Sequence, residues 1–225
     1  MERGVKLRIP RFRRFTSVQL LVALALLFFF FPFVEEAKGG DIIVSILLSL
    51  VLLCAVLAVA DSKRVLVIAI ALAIPAIAGR WISDFRPDLV PPPVFLTAGL
   101  VLIAFVVANL LRFVLRAPSV NVEVLCASIS AYLMLGLLWT VAYWLVDQLT
   151  PGAFAFNTNE GRQSIRGFNA FYFSFVTLST VGYGDITPVS KVARMLAAME
   201  AMTGLLYVAV LIARLVALYS SPKSE

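Results

Sequence analysis

Six long runs of apolar residues, separated by short polar stretches, dominate the chain. They cover residues 18–34, 42–60, 65–82, 94–111, 124–146 and 192–218. A helix needs about 20 mostly apolar residues to cross a bilayer, because the hydrocarbon core is about 30 Å thick and each residue rises about 1.5 Å. The pattern therefore predicts six membrane-spanning helices, with Pro32 and Pro75 marking bends rather than breaks.

A seventh apolar run, residues 168–180, lies between the last two long runs and contains only 13 residues. It is too short to cross a bilayer and is typical of a re-entrant helix that enters and leaves on one side. The predicted fold class is an all-α membrane protein with six transmembrane helices and one re-entrant helix.

Composition agrees with a membrane protein and excludes several other classes. The chain is 61% hydrophobic and 14% charged, about half the charged fraction of a soluble domain. Its net charge of +6 comes from residues spread over the interhelical loops, so we expect no nucleic-acid partner and do expect membrane lipids around it. Cys54 and Cys126 lie in apolar runs and there is no histidine, which argues against a metal site, a disulfide framework and an enzyme.

The positions of Lys and Arg predict the orientation. With the N-terminus in the cytoplasm, twelve of the 19 basic residues lie inside, and seven, Arg80 among them, lie outside. We therefore expect a multi-pass protein of the plasma membrane with both termini in the cytoplasm. The first apolar run is longer than that of a signal peptide and no A-x-A site precedes Glu35, so we expect it to be retained.

The polar end of the short seventh run contains two closely spaced glycines, Gly182 and Gly184. Irregular backbone at membrane depth is tolerated only where protein or water satisfies its polar groups. Glycine adopts conformations that a β-carbon forbids, so an extended loop here can turn successive carbonyls toward one side. Four such loops around an axis would form stacked rings of oxygens.

The residues around these glycines resemble a known signature. Residues 177–185, Thr-Leu-Ser-Thr-Val-Gly-Tyr-Gly-Asp, are similar to the filter of the potassium channel superfamily, the bacterial pore-loop channels included. The resemblance covers residues 124–218, and the first four helices match voltage-gated-like members only in number and arrangement. It implies a homotetramer, because one loop supplies a quarter of the ring around an ion. We refer to residues 180–185 as the filter segment.

The resemblance also implies roles for single residues. The expected ion-binding residues are Thr180, Val181, Gly182, Tyr183 and Gly184. Carbonyls of the first four and the Thr180 hydroxyl would coordinate dehydrated K⁺, and no cofactor is expected beyond these ions. Support for the filter is expected from Asp185, Thr177, Ser179 and Tyr172. Asp185 would sit at the outer mouth, and the Tyr183 hydroxyl would bond to the short helix near Tyr172 and Phe173.

Glu200 is a carboxylate within the last apolar run, where a charge is expensive and suggests a function. It either bonds behind the filter to Ser179, Thr177 or another polar group, or faces the ion pathway. We expect the first, a structural role in filter support.

The last run also contains features of an inner helix. Gly204 lies at the spacing of the family's hinge glycine, and close helix packing explains it equally well. The residues after it on one face are Leu205, Val208, Ile212 and Val216. They would line an apolar cavity or gate, or pack against another helix.

The first four helices lack the usual inputs of such channels. Residues 94–111 contain no Arg or Lys, so we expect no voltage sensor. With seventeen residues before the first run and seven after the last, we expect no ligand-sensing domain. The expected organisation is a basic N-terminus at 1–17, a four-helix sensor-like domain at 18–116, a pore domain at 117–219 and a tail at 220–225.

Two other functions stay open at this point. A secondary transporter of K⁺ would show internal repeats with interrupted helices in both halves, which this sequence does not contain. A non-conducting membrane scaffold would have no need of an intact filter string. A channel that passes K⁺ down its electrochemical gradient is therefore the favoured interpretation.

Overall fold

A computed structural model of the chain describes residues 16–35, 39–60, 62–86, 88–157 and 164–220. The described part does not include residues 1–15, the loop tip at 158–163 or the tail from 221. The expectations for the basic N-terminus and the tail concern these residues and therefore lie outside the described part. Within the described part, six helices are long and apolar enough to cross a membrane. They are α1 Thr16–Glu35, α2 Gly40–Ala58, α3 Lys63–Phe85, α4 Pro92–Arg116, α5 Val122–Leu149 and α7 Lys191–Ser220.

The prediction of six long apolar helices is confirmed, with ends a few residues away from those expected. Polar side chains extend several helices beyond their apolar runs, as where Ser62 accepts the Val65 N–H (3.3 Å) before α3. Asn121 caps α5 in the same way, accepting the Val124 N–H at 2.9 Å. Pro32 and Pro75 both lie inside continuous helices.

Arg80, counted among the basic residues on the outer side, is not in a loop between helices. It lies inside α3, where its Nε donates to Ser45 Oγ of α2 at 2.9 Å and lies 3.5 Å from Asp84 Oδ2. Its guanidinium also stands over the Trp144 ring of α5, 5.5 Å from the centroid. A charge within a span is tolerated when it is paired. Ser45 and Asp84 therefore explain how the charge of Arg80 is accommodated within α3.

The helices share one apolar core. α1 packs against α2 and α5, and α4 packs against α3 and α5. Its fully buried members include Leu20, Leu24 and Leu27 of α1, Val51 and Ala55 of α2, Ala69 of α3, Leu102 and Val106 of α4, and Ala127, Ala131 and Met134 of α5. The core is therefore continuous across residue 117, where the sequence suggested a domain boundary.

A short helix and two short strands lie between α5 and α7. The helix is α6, Gly167–Leu178, and the strands are β1, Phe154–Phe156, and β2, Ile186–Pro188. The strands pair antiparallel, with Ala155 opposite Thr187. The all-α expectation therefore does not hold for these two segments. Strands of three residues are too short to show an alternation of apolar and polar residues in the sequence.

Helix α7 is the least covered of the long helices. Only 11% of its span is buried by the rest of the chain, against 56% of the span in α5. Its exposed apolar residues lie along most of its length: Val192, Met195, Met199, Met202, Leu205, Leu206, Val208, Val210, Ile212 and Val216. Most of α7 is therefore not covered by the rest of its own chain.

Candidate functional site

The filter segment begins where α6 ends. The Ser179 and Thr180 N–H groups donate to the carbonyls of Phe175 (3.1 Å) and Thr177 (2.9 Å), which closes the last turn of the helix. The Ser179 hydroxyl donates to the Phe175 carbonyl at 2.6 Å. Ser179 and Thr177, both expected as filter support, are thus engaged in the end of α6 itself.

Alternate residues of the filter segment have left-handed backbone. The φ angles are 60° at Thr180, 58° at Gly182 and 80° at Gly184. Glycine adopts this region without penalty, which explains the residue type at two of the three positions. Among the described residues, Thr180 alone has a positive φ without being glycine. Such strain persists where the surroundings enforce it and is common at functional sites.

Two N–H groups of the filter segment point back toward α6. Those of Val181 and Gly182 both donate to the Val176 carbonyl, at 3.0 and 3.4 Å. In a trans peptide, the C=O and the N–H of one unit point in opposite directions. The carbonyls of Thr180 and Val181 therefore point away from α6, and both residues are exposed in the single chain.

Asp185 and Tyr172 link the end of the filter segment to α6. The Tyr172 hydroxyl donates to Asp185 Oδ2 at 2.7 Å, while Oδ1 accepts the Ile186 N–H at 3.0 Å. Burial, together with this hydrogen bond, raises the pKa of Tyr172 to about 12, so the phenol stays protonated and remains a donor at neutral pH. Both carboxylate oxygens of Asp185 thus accept a hydrogen bond.

Tyr183 meets α6 in a different way from the one expected. Its ring stacks on Tyr172, with centroids 6.5 Å apart and planes inclined by 2°. Phe173 does not share this contact, because it lies on Tyr143 and Phe154, with ring centroids 4.9 and 5.5 Å away. The expected hydroxyl contact to Tyr172 and Phe173 is replaced by ring stacking on Tyr172 alone.

Asn157, which follows β1, contacts the far end of the filter segment. Its Nδ2 donates to the Gly184 carbonyl at 2.6 Å, and its backbone N–H donates to the Asp185 carbonyl at 2.8 Å. No pattern in the sequence pointed to this contact, because Asn157 stands among several similar polar residues in one loop. The carbonyl of Gly184, the last of the expected ion-binding residues and outside the four expected to coordinate K⁺ by their carbonyls, is therefore engaged by a side chain.

Glu200 lies behind α6 and is completely buried. It accepts hydrogen bonds from the Tyr143 hydroxyl of α5 and from the Ser174 hydroxyl of α6, the latter at 2.6 Å. Ser174 Oγ also lies 2.8 Å from the Gly136 carbonyl of α5. The partners of Glu200 are thus other polar groups behind the filter segment, one of the expected alternatives, rather than Ser179 or Thr177.

Gly204 lies in the continuous helix α7 and faces α6 at close range. A β-carbon built on Gly204 would overlap the Leu178 carbonyl oxygen at the end of α6. The four residues after it on the expected gate face, Leu205, Val208, Ile212 and Val216, are each at least 44% exposed. The geometry therefore accounts for Gly204 by close packing, and leaves the gate face uncovered by its own chain.

Comparisons with known proteins match the same part of the chain. Residues 132–221 fit the profile of a family described as "Ion channel". Two pore potassium channel b of Oryza sativa subsp. japonica is 40% identical over 67 residues, 30% of this chain and 16% of that protein. The inward rectifier potassium channel Kirbac3.1 of Paramagnetospirillum magnetotacticum is 30% identical over 95 residues, 40% of this chain and 28% of that protein.

A further relative is two-pore potassium channel 4 of Arabidopsis thaliana, 46% identical over 48 residues, which are 21% of this chain and 17% of that protein. The matched segments thus span less than a third of each of these relatives. The family profile extends from α5 through the filter segment to the end of α7. Over these elements, this multi-pass membrane protein is similar to ion channels.

Proposed function

We propose that this chain is one subunit of a homotetrameric channel that passes K⁺ selectively and passively across the plasma membrane. The observation that carries the proposal is the orientation of the filter segment. Its N–H groups bond back to Val176, so the carbonyls of Thr180 and Val181 face the open side of the chain. Together with the carbonyls of Gly182 and Tyr183, they would replace the hydration shell of K⁺.

The number of four subunits comes from the resemblance to pore-loop channels, and the exposed filter side of the single chain supports it. One filter segment offers its carbonyls from one side only, whereas an ion in a selective pore is surrounded. A cyclic arrangement of four copies would close the ring and would also cover part of the exposed apolar face of α7. The charge of Asp185 lies at the outer end of such a ring, where it attracts cations.

The proposed channel has no voltage sensor in α4. Arg112 and Arg116 are exposed at the C-terminal end of that helix, outside the apolar stretch that would have to carry gating charges. Arg80 in α3 is held by Ser45 and Asp84 and is a single charge. A transporter subunit and a membrane scaffold are the alternatives, and neither requires the strained, outward-facing carbonyls of the filter segment.

Reconstitution of the purified protein into lipid bilayers tests this function. We expect K⁺ currents with K⁺ permeability well above that of Na⁺, and we expect Gly182→Ala to remove the selectivity. An added β-carbon at φ 58° costs about 1–2 kcal/mol and reorients the filter backbone.

Gly152→Ala is the matched control. Gly152 also has a positive φ, of 81°, and a β-carbon at either glycine has open space around it. The strain is therefore similar, but Gly152 lies in the turn before β1. Equal Na⁺ and K⁺ permeation, or no K⁺ flux from intact wild-type tetramers, would contradict the proposal.

A further inference from the structure

The loop that follows α5 returns to the filter segment as a strand. β1 pairs with β2 immediately after Asp185, with Phe156 opposite Ile186 and Phe154 opposite Pro188. The pairing continues beyond both strands, since the Val189 N–H donates to the Ala153 carbonyl at 2.8 Å and Asn157 N–H to the Asp185 carbonyl. We call residues 153–157 the strap.

The strap is anchored in a buried cluster at its other end. Phe154 is 7% exposed and packs edge-on against Tyr143 of α5 and Phe173 of α6, with centroids 5.7 and 5.5 Å away. Ile186 of β2 and Ala193 of α7 belong to the same cluster. Because Phe154 is fixed between helices, the strap holds Asn157 at a defined place beside the filter segment.

Asn157 then supplies two donors to two consecutive carbonyls. Its side chain bonds to Gly184 O at 2.6 Å and its backbone to Asp185 O at 2.8 Å. Gly184 has a φ of 80°, and a glycine there has no side chain of its own to restrict the backbone. The conformation at this point thus depends on a partner from outside the filter segment.

We infer that Asn157 is a positioning residue for the outer end of the filter, and that the strap is the element through which the extracellular loop holds the filter open. The inference rests on the proposed function. Asn157 holds the Gly184 carbonyl on the strap side, which fixes the peptide between Gly184 and Asp185. Bound K⁺ and the Asn157 side chain stabilise the same backbone, so either one compensates in part for loss of the other.

Asn157→Ala and Asn157→Asp test the inference in the full-length protein. Asp keeps the size of the side chain but has no donor for a carbonyl when it is ionised. Asn169→Ala is the matched control, because the Asn169 amide makes only a 3.5 Å contact with the Ser164 carbonyl. The measurements are amide hydrogen exchange of residues 183–187 and the decay of K⁺ current at low and high external K⁺.

For both Asn157 variants we expect exchange of these amides to rise about fivefold, the factor that corresponds to the loss of one hydrogen bond. Current should decay about fivefold faster at low external K⁺, and high external K⁺ should restore the wild-type rate. Exchange and decay should not change in Asn169→Ala. A general loss of stability would neither be confined to this segment nor respond to K⁺.

Wild-type exchange and decay in both Asn157 variants would overturn the inference while leaving the channel function intact. Faster exchange throughout the protein, without relief by external K⁺, would overturn it as well. The absence of K⁺ flux in the wild-type protein would instead refute the proposed function, and the positioning role with it. Measuring K⁺ flux in the wild-type protein therefore distinguishes failure of the proposed function from failure of the positioning role alone.

Discussion

At the scale of single residues, Glu200 is where three helices meet. A carboxylate inside a membrane span is costly unless hydrogen bonds compensate for its burial. The donors come from Tyr143 on α5 and Ser174 on α6. The Glu200 carboxylate on α7 therefore has both hydrogen bonds only when all three helices are in place. Since Ser174 lies one turn from the end of α6, this bond holds the helix that carries the filter segment.

Replacement of Glu200 separates its hydrogen bonds from its charge. We expect Glu200→Gln to keep K⁺ selectivity, because the amide oxygen still accepts from one of the two hydroxyls. Glu200→Ala should lower the stability by about 1–3 kcal/mol, since the buried Tyr143 hydroxyl loses its acceptor. Thermal unfolding and K⁺/Na⁺ permeability measure the two effects.

Met199→Ala, a neighbouring exposed position on α7, is the control for Glu200→Ala. We expect it to unfold within a few degrees of the wild type. If Glu200→Gln forms intact tetramers that no longer conduct, the supporting role is wrong and Glu200 acts on the ion pathway.

At the scale of elements, α1 is part of the structure around the filter. Phe28 lies edge-on to Phe171 and Phe175 of α6, with ring centroids 4.7 and 4.6 Å away, and Phe31 contacts Phe171 at 5.1 Å. Aromatic side chains thus connect the first helix of the chain to the short helix that carries the filter segment. In lipid, such packing is the main attraction between helices.

Phe28→Ala should therefore destabilise the protein by about 2 kcal/mol, less than a fully buried phenylalanine in a core. Phe29→Ala is the control, because Phe29 is 66% exposed and its ring contacts lie on its own helix. We expect it to change stability by less than about 0.5 kcal/mol. Equal effects of the two substitutions in thermal unfolding would show that α1 does not support α6.

Substitution of Gly204 tests how closely α7 packs against α6. A methyl group there overlaps the Leu178 carbonyl oxygen, which is backbone and has little freedom to move. We expect Gly204→Ala to lower stability by about 1–3 kcal/mol. Gly99→Ala in α4, where the added carbon meets nothing within 4 Å, should be neutral or stabilising. Unchanged stability with an altered open probability would favour the hinge interpretation.

At the scale of the whole molecule, the filter segment and the least covered long helix are both exposed. Helix α7 and the filter segment are exposed together, with Tyr183 at 72% and Leu205 at 61%. The other long helices enclose a shared core that needs no second copy. Assembly of four copies would therefore add contacts on the side of the filter-segment carbonyls. The remaining helices would then face the lipid.

The proposed tetramer should open independently of voltage. Charged sensors move about three to four charges per subunit, each worth about 2.3 kcal/mol per 100 mV, and residues 94–111 of α4 contain no such charge. We expect the open probability to change little across about 200 mV in single-channel recordings. A steep voltage dependence would contradict this, and Arg80→Gln would then show whether that arginine carries it.

Much of the architecture was predictable because its causes are local. Bilayer thickness sets the length of an apolar run, so six helices followed from composition along the chain. The filter segment was identified by its resemblance to the potassium channel signature, and its two glycines explain why its backbone can adopt this conformation. The partners of Glu200 were not predictable, because they depend on how far α7 is displaced along α6. The partners of Arg80 were not predictable either, because Ser45 lies 35 residues away in the chain.

The sequence by itself determined the six apolar helices, the short helix between the last two and the residues of the filter segment. Only the tertiary structure decided what holds that segment: the ring of Tyr172, the strap with Asn157, and the contact of Gly204 with Leu178. The reason is physical. Burial in lipid and glycine conformations act on neighbouring residues, whereas these contacts join residues that only helix packing and strand pairing bring together.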